Sequence, residues 1–452
     1  MPPEDESATA PEPRGRGISR RALLRGGGAV AGVAAAAGAG AFAGRATAPD
    51  AAAAAEARTY PFTGAHQAGV VTPAQDRLYL AAFDLTTTDR SALVDLLRTW
   101  TTTAARLTRG LGAGPVGFDR GSYDAPPDDT GEAADLPPAG LTLTFGFGRS
   151  LFVGADGESD PFGLAGRLPG ALAPLPHFPG DDLDPARSDG DLVVQACSDD
   201  AQVAFHAVRN LSRAAFGTAR IRWAQLGYGR TSSTSTAQAT PRNLFGFKDG
   251  TANIMAEESA ALEQHVWVQD ADARADAAAG TDSSWMVGGT YLTGRRIRMT
   301  IETWDRSSLR EQERVIGRTK GVGAPLSGGE EHTEPDFDRT GSDGSPLIDT
   351  ASHVRLAHPT AHGGARMLRR GYTFTDGNDA LGRLDAGLYF IAFTRDPREQ
   401  FVPVQQALAA QDLMSEYVQH TASAQFAVPP GVPRVADDGT LVDGFIGSTL
   451  LG

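Results

Sequence analysis

A single cysteine, Cys197, stands among 452 residues. An intramolecular disulfide therefore cannot form, and cysteine-rich zinc or iron–sulfur sites are excluded. Cys197 ends the apolar run Val193-Val194-Gln195-Ala196, which reads as a strand, so it is expected to be a small buried residue. Positive charge is also in short supply, with a formal net charge of −14. That balance argues against nucleic acid or an anionic membrane surface as the main partner. No internal repeat is detectable at the level of sequence. Charged residues make up 21% of the chain and apolar types are not depleted, which is the composition of a globular protein long enough for two domains.

A long leucine-rich run is missing from the N-terminus as well. Instead, Ser19-Arg20-Arg21-Ala22-Leu23-Leu24 leads into a weakly hydrophobic Gly/Ala stretch to Ala43, followed by Ala46-Thr47-Ala48. The stretch approaches the length of a membrane anchor, but its Gly and Ala content favours cleavage. Residues 1–48 read as a twin-arginine signal peptide and 49–57 as an Ala-rich spacer. The expected location is secreted, periplasmic or cell-envelope, reached through the twin-arginine export machinery without stable membrane insertion. That route carries folded proteins, often with a cofactor in place.

The first half alternates strands and helices. Leu78–Leu85 reads as a strand, Arg90–Leu107 as an amphipathic helix, and Leu141–Phe147 as a strand of period two. Asp191–Ala196 forms another strand, and Val203, Ala204, Ala207, Val208 and Leu211 share one face of a helix. Ile221–Tyr228 completes the order β-α-β-β-α-β of a ferredoxin-like unit. The second half repeats the theme loosely. Gly289–Ile301 alternates, Trp304–Ile316 is helical, Gly387–Phe393 is a buried strand, and a helix follows with Phe401, Val404 and Leu408. Acidic Gly/Pro-rich stretches at 124–138 and 328–345 read as surface loops. The expected architecture is α+β, with an N-terminal domain at 58–238 and a C-terminal domain at 239–452.

The segment Gly246-Phe247-Lys248-Asp249-Gly250-Thr251 sets two glycines around an aromatic, a cation and a carboxylate. It suits a tight loop that presents one ionisable group, and it lacks the Gly-Lys-Ser/Thr ending of a phosphate-cradling loop. Among nine histidines, His206 lies inside an amphipathic helix, His177 and His332 read as surface, and His420 is placed near a helix end. His66 and His265 are ambiguous. His353, His358 and His362, spaced by five and four and broken by Pro359, do not set three rings on one helical face. One ligand to a large cofactor is easier to accommodate than a three-histidine metal site.

Three ordered stretches carry a resemblance. Gly246–Thr251 is similar to the Gly-X-X-Asp-Gly signature of the dye-decolourising haem peroxidases. Ser352-His353-Val354-Arg355-Leu356-Ala357-His358-Pro359 and Leu368-Arg369-Arg370-Gly371-Tyr372 resemble that family's other signatures, in its exported branch that includes deferrochelatases. Further matches run through Gly64–Gly69, Phe145–Gly148, Gln195–Cys197 and Gly288–Tyr291. The resemblance implies two ferredoxin-like domains with antiparallel sheets and haem b bound mainly by the second. It implies His353 as iron ligand, Asp249 and Arg369 as the catalytic pair, and Gly250, Thr251, Ala252, His358, Pro359, Thr360 and Arg369 as haem-lining residues. The family's exported branch more often has Asn at the position of His358.

The implied reaction consumes hydrogen peroxide and oxidises bulky dyes or phenols through a high-valent iron–oxo intermediate. The alternatives are removal of iron from haem with the porphyrin intact, or non-catalytic haem binding. A homo-oligomer stays open. A carboxylate at Asp249 suits proton transfer between the two peroxide oxygens, and the signature offers no distal histidine of the plant-peroxidase kind. Asp396 is the expected partner of the proximal histidine. Lys248 reads as solvent-facing or propionate-pairing. Trp100, Trp223, Trp267, Trp285, Trp304 and Tyr389 are the pool from which a surface electron relay would be drawn, and most of them are expected to be core aromatics instead.

Overall fold

The computed structural model describes residues 57–452. The expected signal peptide at 1–48 and all but the end of the 49–57 spacer lie outside them. Nine strands form one antiparallel sheet: β1 Arg77–Leu85, β2 Thr142–Gly148, β3 Leu192–Ser198, β4 Ala219–Arg230, β5 Thr290–Met299, β6 Leu368–Arg369, β7 Tyr372–Asn378, β8 Leu384–Thr394 and β9 Val418–Val428. In the first half the spatial order is β2-β3-β1-β4, the order a ferredoxin-like β-α-β-β-α-β unit requires. In the second half it is β7-β8-β5-β9, which is the same arrangement. β6 and β7 both pair with β8, as two segments of one strand position. The halves join through β4–β7 and β2–β9, and the β5–β8 pairing closes the sheet on itself. The expected boundary at 238/239 falls in the connection between β4 and β5.

Period-two alternation assigns the two faces. Leu78, Leu80 and Ala82 of β1 pack with Trp223, Phe374, Ile391 and Phe426 in a core shared by both halves. Ala81 and Phe83 turn the other way, toward helices Arg90–Leu107 and Ala201–Ala214. Those helices start where the sequence supplies caps: Asp89 accepts from Ser91 N, and Asp200 from Gln202 N and Val203 N. Cys197 is fully buried, as expected. Gly387 is required by contact, since a Cβ there would lie 2.0 Å from Ile297 O on β5.

Several expectations change. Trp304–Ile316 is two helices, Ile301–Trp304 and Leu309–Ile316, because Ser308 caps the second by accepting from Glu311 N. His420 lies within β9 rather than at a helix end. All six aromatics of the relay pool are buried, with Trp223 the most exposed at 6%, so the core reading extends from most of them to all and none is a surface residue. Their indole and phenol rings fill the cores that join sheet to helices.

Burial and the nearby Arg295 guanidinium depress the pKa of His420 to about 3. Between pH 6.5 and about 3 the unfolded chain therefore binds a proton at this side chain that the folded chain refuses. The stabilising contribution is complete above 6.5 and is lost as the pH falls through this window. His420→Asn is expected to flatten the acid limb of stability against pH, by a slope of at most about 1.4 kcal/mol per pH unit. Urea unfolding at several pH values reads it.

Candidate active site

The Gly246–Thr251 loop is anchored by its aromatics. Phe245 stacks on Trp304 at 4.2 Å, Phe247 meets the same indole edge-on at 6.0 Å, and Trp304 Nε1 donates to Phe245 O at 3.1 Å. Gly246 and Gly250 take φ of +81° and +87°, conformations that favour glycine. A Cβ on Gly250 would lie 2.9 Å from Ser232 Cα, so its close neighbour is protein backbone. Lys248 pairs with Glu331 of the acidic loop, and Thr251 Oγ1 donates to the other oxygen of Glu331 at 3.4 Å. Lys248 thereby turns away from Asp249.

Asp249 points toward β6. Its Oδ1 accepts from Arg369 Nη1 at 3.1 Å and its Oδ2 from Asn243 Nδ2 at 3.3 Å. The two segments are stitched together by Asn253, which accepts from Arg369 N at 2.7 Å and donates to Arg369 O at 2.8 Å. Asn253 is 3% exposed, and sequence reasoning gave it no role. Its position two residues past Gly250-Thr251 was the available signal. Neighbouring Arg370 points elsewhere, fully buried against Thr72 O and Gln75.

His353 opens a short helix, His353–Leu356, behind Ser352. Its Nδ1 lies 2.6 Å from Asp412 Oδ2. An ionised carboxylate only accepts, so Nδ1 carries the proton and Nε2 keeps the free lone pair of the neutral ring. The expected carboxylate, Asp396, is not the partner: it is held by Arg398 at 2.6 Å, near Tyr291. Asp412 succeeds because it terminates helix Phe401–Gln411 and caps the next turn, accepting from Met414 N at 2.9 Å. Two backbone roles fix the carboxylate before it meets the imidazole. Its side chain is 5% exposed, whereas 31% of the His353 side chain is accessible although the residue sits deep in the fold. His353 thus lines an internal recess. Burial disfavours its charged form, Asp412 outweighs that, and the net pKa is raised; Asp249 pushes further up and Arg369 down. The acidic and basic pair is therefore close enough to act on His353 across the recess.

The other two histidines of the cluster are engaged. His358 Nδ1 lies 2.9 Å from Thr360 Oγ1 and its Nε2 3.1 Å from Glu334. His362 Nε2 donates to Leu356 O at 2.6 Å. Pro359 and Thr360 form the turn between them. Of the three rings, His353 keeps Nε2 without a protein partner and is the one whose charge Asp249 and Arg369 act on. Two clefts elsewhere, of ≈350 and ≈540 Å³, contain none of Asp249, His353 and Arg369. The site is defined by converging ionisable groups rather than by cleft size.

An imidazole with one free, oriented nitrogen, facing an acid–guanidinium pair across a recess, is a donor set that fits haem. Comparison with known proteins agrees. Residues 67–229 match the family described as Dyp-type peroxidase, N-terminal, and residues 240–433 match Dyp-type peroxidase, C-terminal. A deferrochelatase of Escherichia coli O6:K15:H31 is 35% identical over 437 residues, covering 96% of this chain and 97% of its own. A DyP-type peroxidase from Streptomyces coelicolor superposes with a TM-score of 0.76 at 40% identity, covering 88% of this chain and 98% of that one. One from Cellulomonas bogoriensis gives 0.74 at 38%, covering 88% and 99%. With both halves matched and relatives this similar over nearly their full length, the chain belongs to the Dyp-type peroxidase family and is a haem-dependent peroxidase.

Proposed function

We propose that the chain holds haem b through His353 Nε2 and reduces hydrogen peroxide with Asp249 and Arg369 on the opposite side of the recess. The observation that carries this reading is the 2.6 Å bond between His353 and Asp412, which leaves one ring nitrogen free and oriented. Haem, when bound, would supply the redox-active iron that peroxide reduction requires. The protein's own share is proton handling and charge. Asp412 fixes the tautomer of His353 and makes it a more basic ligand. Asp249 takes the proton from the inner peroxide oxygen and returns it to the outer one, which departs as water. Arg369 orients Asp249 through the 3.1 Å contact and offsets negative charge as the O–O bond lengthens. Gly250, Thr251, Ala252, His358, Pro359 and Thr360 line the haem edges in this reading. Bulky organic reductants return the electrons.

A second reading is favoured by the 35%-identical relatives, which are deferrochelatases. In it the same recess holds haem as substrate and releases iron with the porphyrin intact. The two separate experimentally. Purified protein supplied with haem and peroxide is expected to oxidise a phenol or dye catalytically. Without peroxide, ferrous haem is expected to yield no protoporphyrin fluorescence; release of free porphyrin with no peroxide turnover would establish the second reading instead.

We also propose export through the twin-arginine pathway, supported by Arg20-Arg21 and the Gly/Ala run that follows. No helix of the described residues is long and apolar enough to cross a membrane.

A further inference from the structure

The cleft of ≈540 Å³ lies beside helix Asp270–Ala278, the turn Pro359–His362 and the segment after β8. Its volume falls within the range of small-molecule sites. Tyr291 of β5 reaches it while being only 2% exposed. Its hydroxyl makes no hydrogen bond among the described residues and is not sealed from solvent, since it opens on the cleft. A phenol whose ring is held in the core while its hydroxyl faces a cleft offers a fixed donor to whatever occupies that cleft. Burial, followed by Asp276 and Asp396, raises its pKa well above the ordinary range, so it stays a neutral donor.

The surrounding charge is unbalanced. Arg395 is taken by Asp272, at 2.8 and 2.9 Å, and Arg398 by Asp396 at 2.6 Å. Both guanidiniums are thereby neutralised within the protein. Asp276, which accepts only Gly170 N at 3.1 Å, and Glu399 remain as surplus carboxylates on the wall. Of the two histidines present, His265 is kept neutral at pH 7, its pKa lowered by burial and by Arg366 and Arg395. His362 spends its Nε2 on Leu356 O.

We propose that this cleft is a second binding site, for cationic aromatic reductants such as aryl-ammonium compounds and positively charged dyes. The ligand's charge meets Asp276 and Glu399, and its ring or polar substituent meets the Tyr291 hydroxyl. The assignment deepens, and rests on, the peroxidase reading, since it names the class of reductant the enzyme gathers outside its haem recess. Binding and turnover are nevertheless separable.

The test titrates the haem-loaded protein with trimethylanilinium at low salt by calorimetry, with benzenesulfonate as the anionic counterpart of similar shape. Saturable one-to-one binding of the cation and none of the anion is expected. Asp276→Asn combined with Glu399→Gln should weaken binding at least about tenfold, and exposed Glu399→Gln alone several-fold. Tyr291→Phe should weaken a cation that carries a hydrogen-bond acceptor more than one that lacks it. In steady state the double variant should raise KM for a cationic dye, with KM for a neutral phenol unchanged. Equal binding of both probes, no binding, or unaltered affinity in the double variant would overturn the site. Loss of peroxide turnover with the neutral phenol would instead indict the peroxidase reading, while the calorimetry still decides the cleft.

Discussion

His353→Ala is expected to abolish haem retention, so that the purified, haem-reconstituted variant shows no Soret band, whereas His358→Ala retains it. Both residues lie in one short segment, and sequence alone leaves two imidazoles within five positions of each other. Their surroundings differ. His358 has both nitrogens committed, to Thr360 and to Glu334, and removing it costs the protein a turn contact. His353 has one nitrogen anchored on Asp412 and the other uncommitted. Asp412→Ala supplies an internal control, because it leaves the ligand in place but frees its orientation. Losing such an outer partner typically costs about 10–100-fold in affinity. Haem binding should therefore weaken in Asp412→Ala, vanish in His353→Ala and persist in His358→Ala. A Soret band surviving in His353→Ala but lost in His358→Ala would overturn the ligand assignment.

The second large effect is expected at Arg369. Arg369→Leu should reduce peroxide-dependent turnover by roughly 10²–10³-fold, in line with removing one fixed donor from a charge-developing centre. The guanidinium is positioned from two sides. Its side chain meets Asp249 at 3.1 Å, and its backbone is held at both N and O by Asn253. Removing it also leaves the Asp249 carboxylate, 18% exposed, with Asn243 as its remaining side-chain partner. Arg369→Lys, which restores charge without the fork, should recover part of the rate. Asp249→Asn is the companion measurement. A large fall in rate is expected if Asp249 carries the proton, while an unchanged rate would reduce it to a turn residue that orients Arg369. An intact Soret band in each variant separates these outcomes from loss of the cofactor.

Much of this was legible in the sequence, for identifiable reasons. Strands β1 to β4 and their two helices were readable because their apolar residues run with the right local period: β4 and the helices bury one face, while β2 and β3 are apolar enough to be buried throughout. The caps Asp89 and Asp200 sit immediately before the helices that they start. β7 and β9 were not readable. β7 ends in Thr375-Asp376-Gly377-Asn378, which carries turn residues inside a strand, and β9 follows its first residue, Val418, with the polar Gln419-His420-Thr421. These polar side chains are matched by tertiary partners: Asp376 by Arg296, and Thr421 by the same arginine. Nothing local announces such pairing.

The same division holds at the site. Asp249, His353 and Arg369 stand in local patterns that bring their chemistry with them. Asp412 is 59 residues from His353, and its role arises only when helix Phe401–Gln411 packs beside the His353 segment. Asp396 was the natural expectation because it follows a buried strand, but Arg398 two residues later captures it. Local spacing locates groups that act together along the chain; long-range partners need the fold.

The most direct measurement of the central claim is the absorption spectrum of the reconstituted protein, before and after one equivalent of hydrogen peroxide. A Soret band that shifts within the mixing time and returns when a phenol is added is the predicted result. A protein that shows no Soret band after haem is supplied, or a band indifferent to peroxide, would contradict the account.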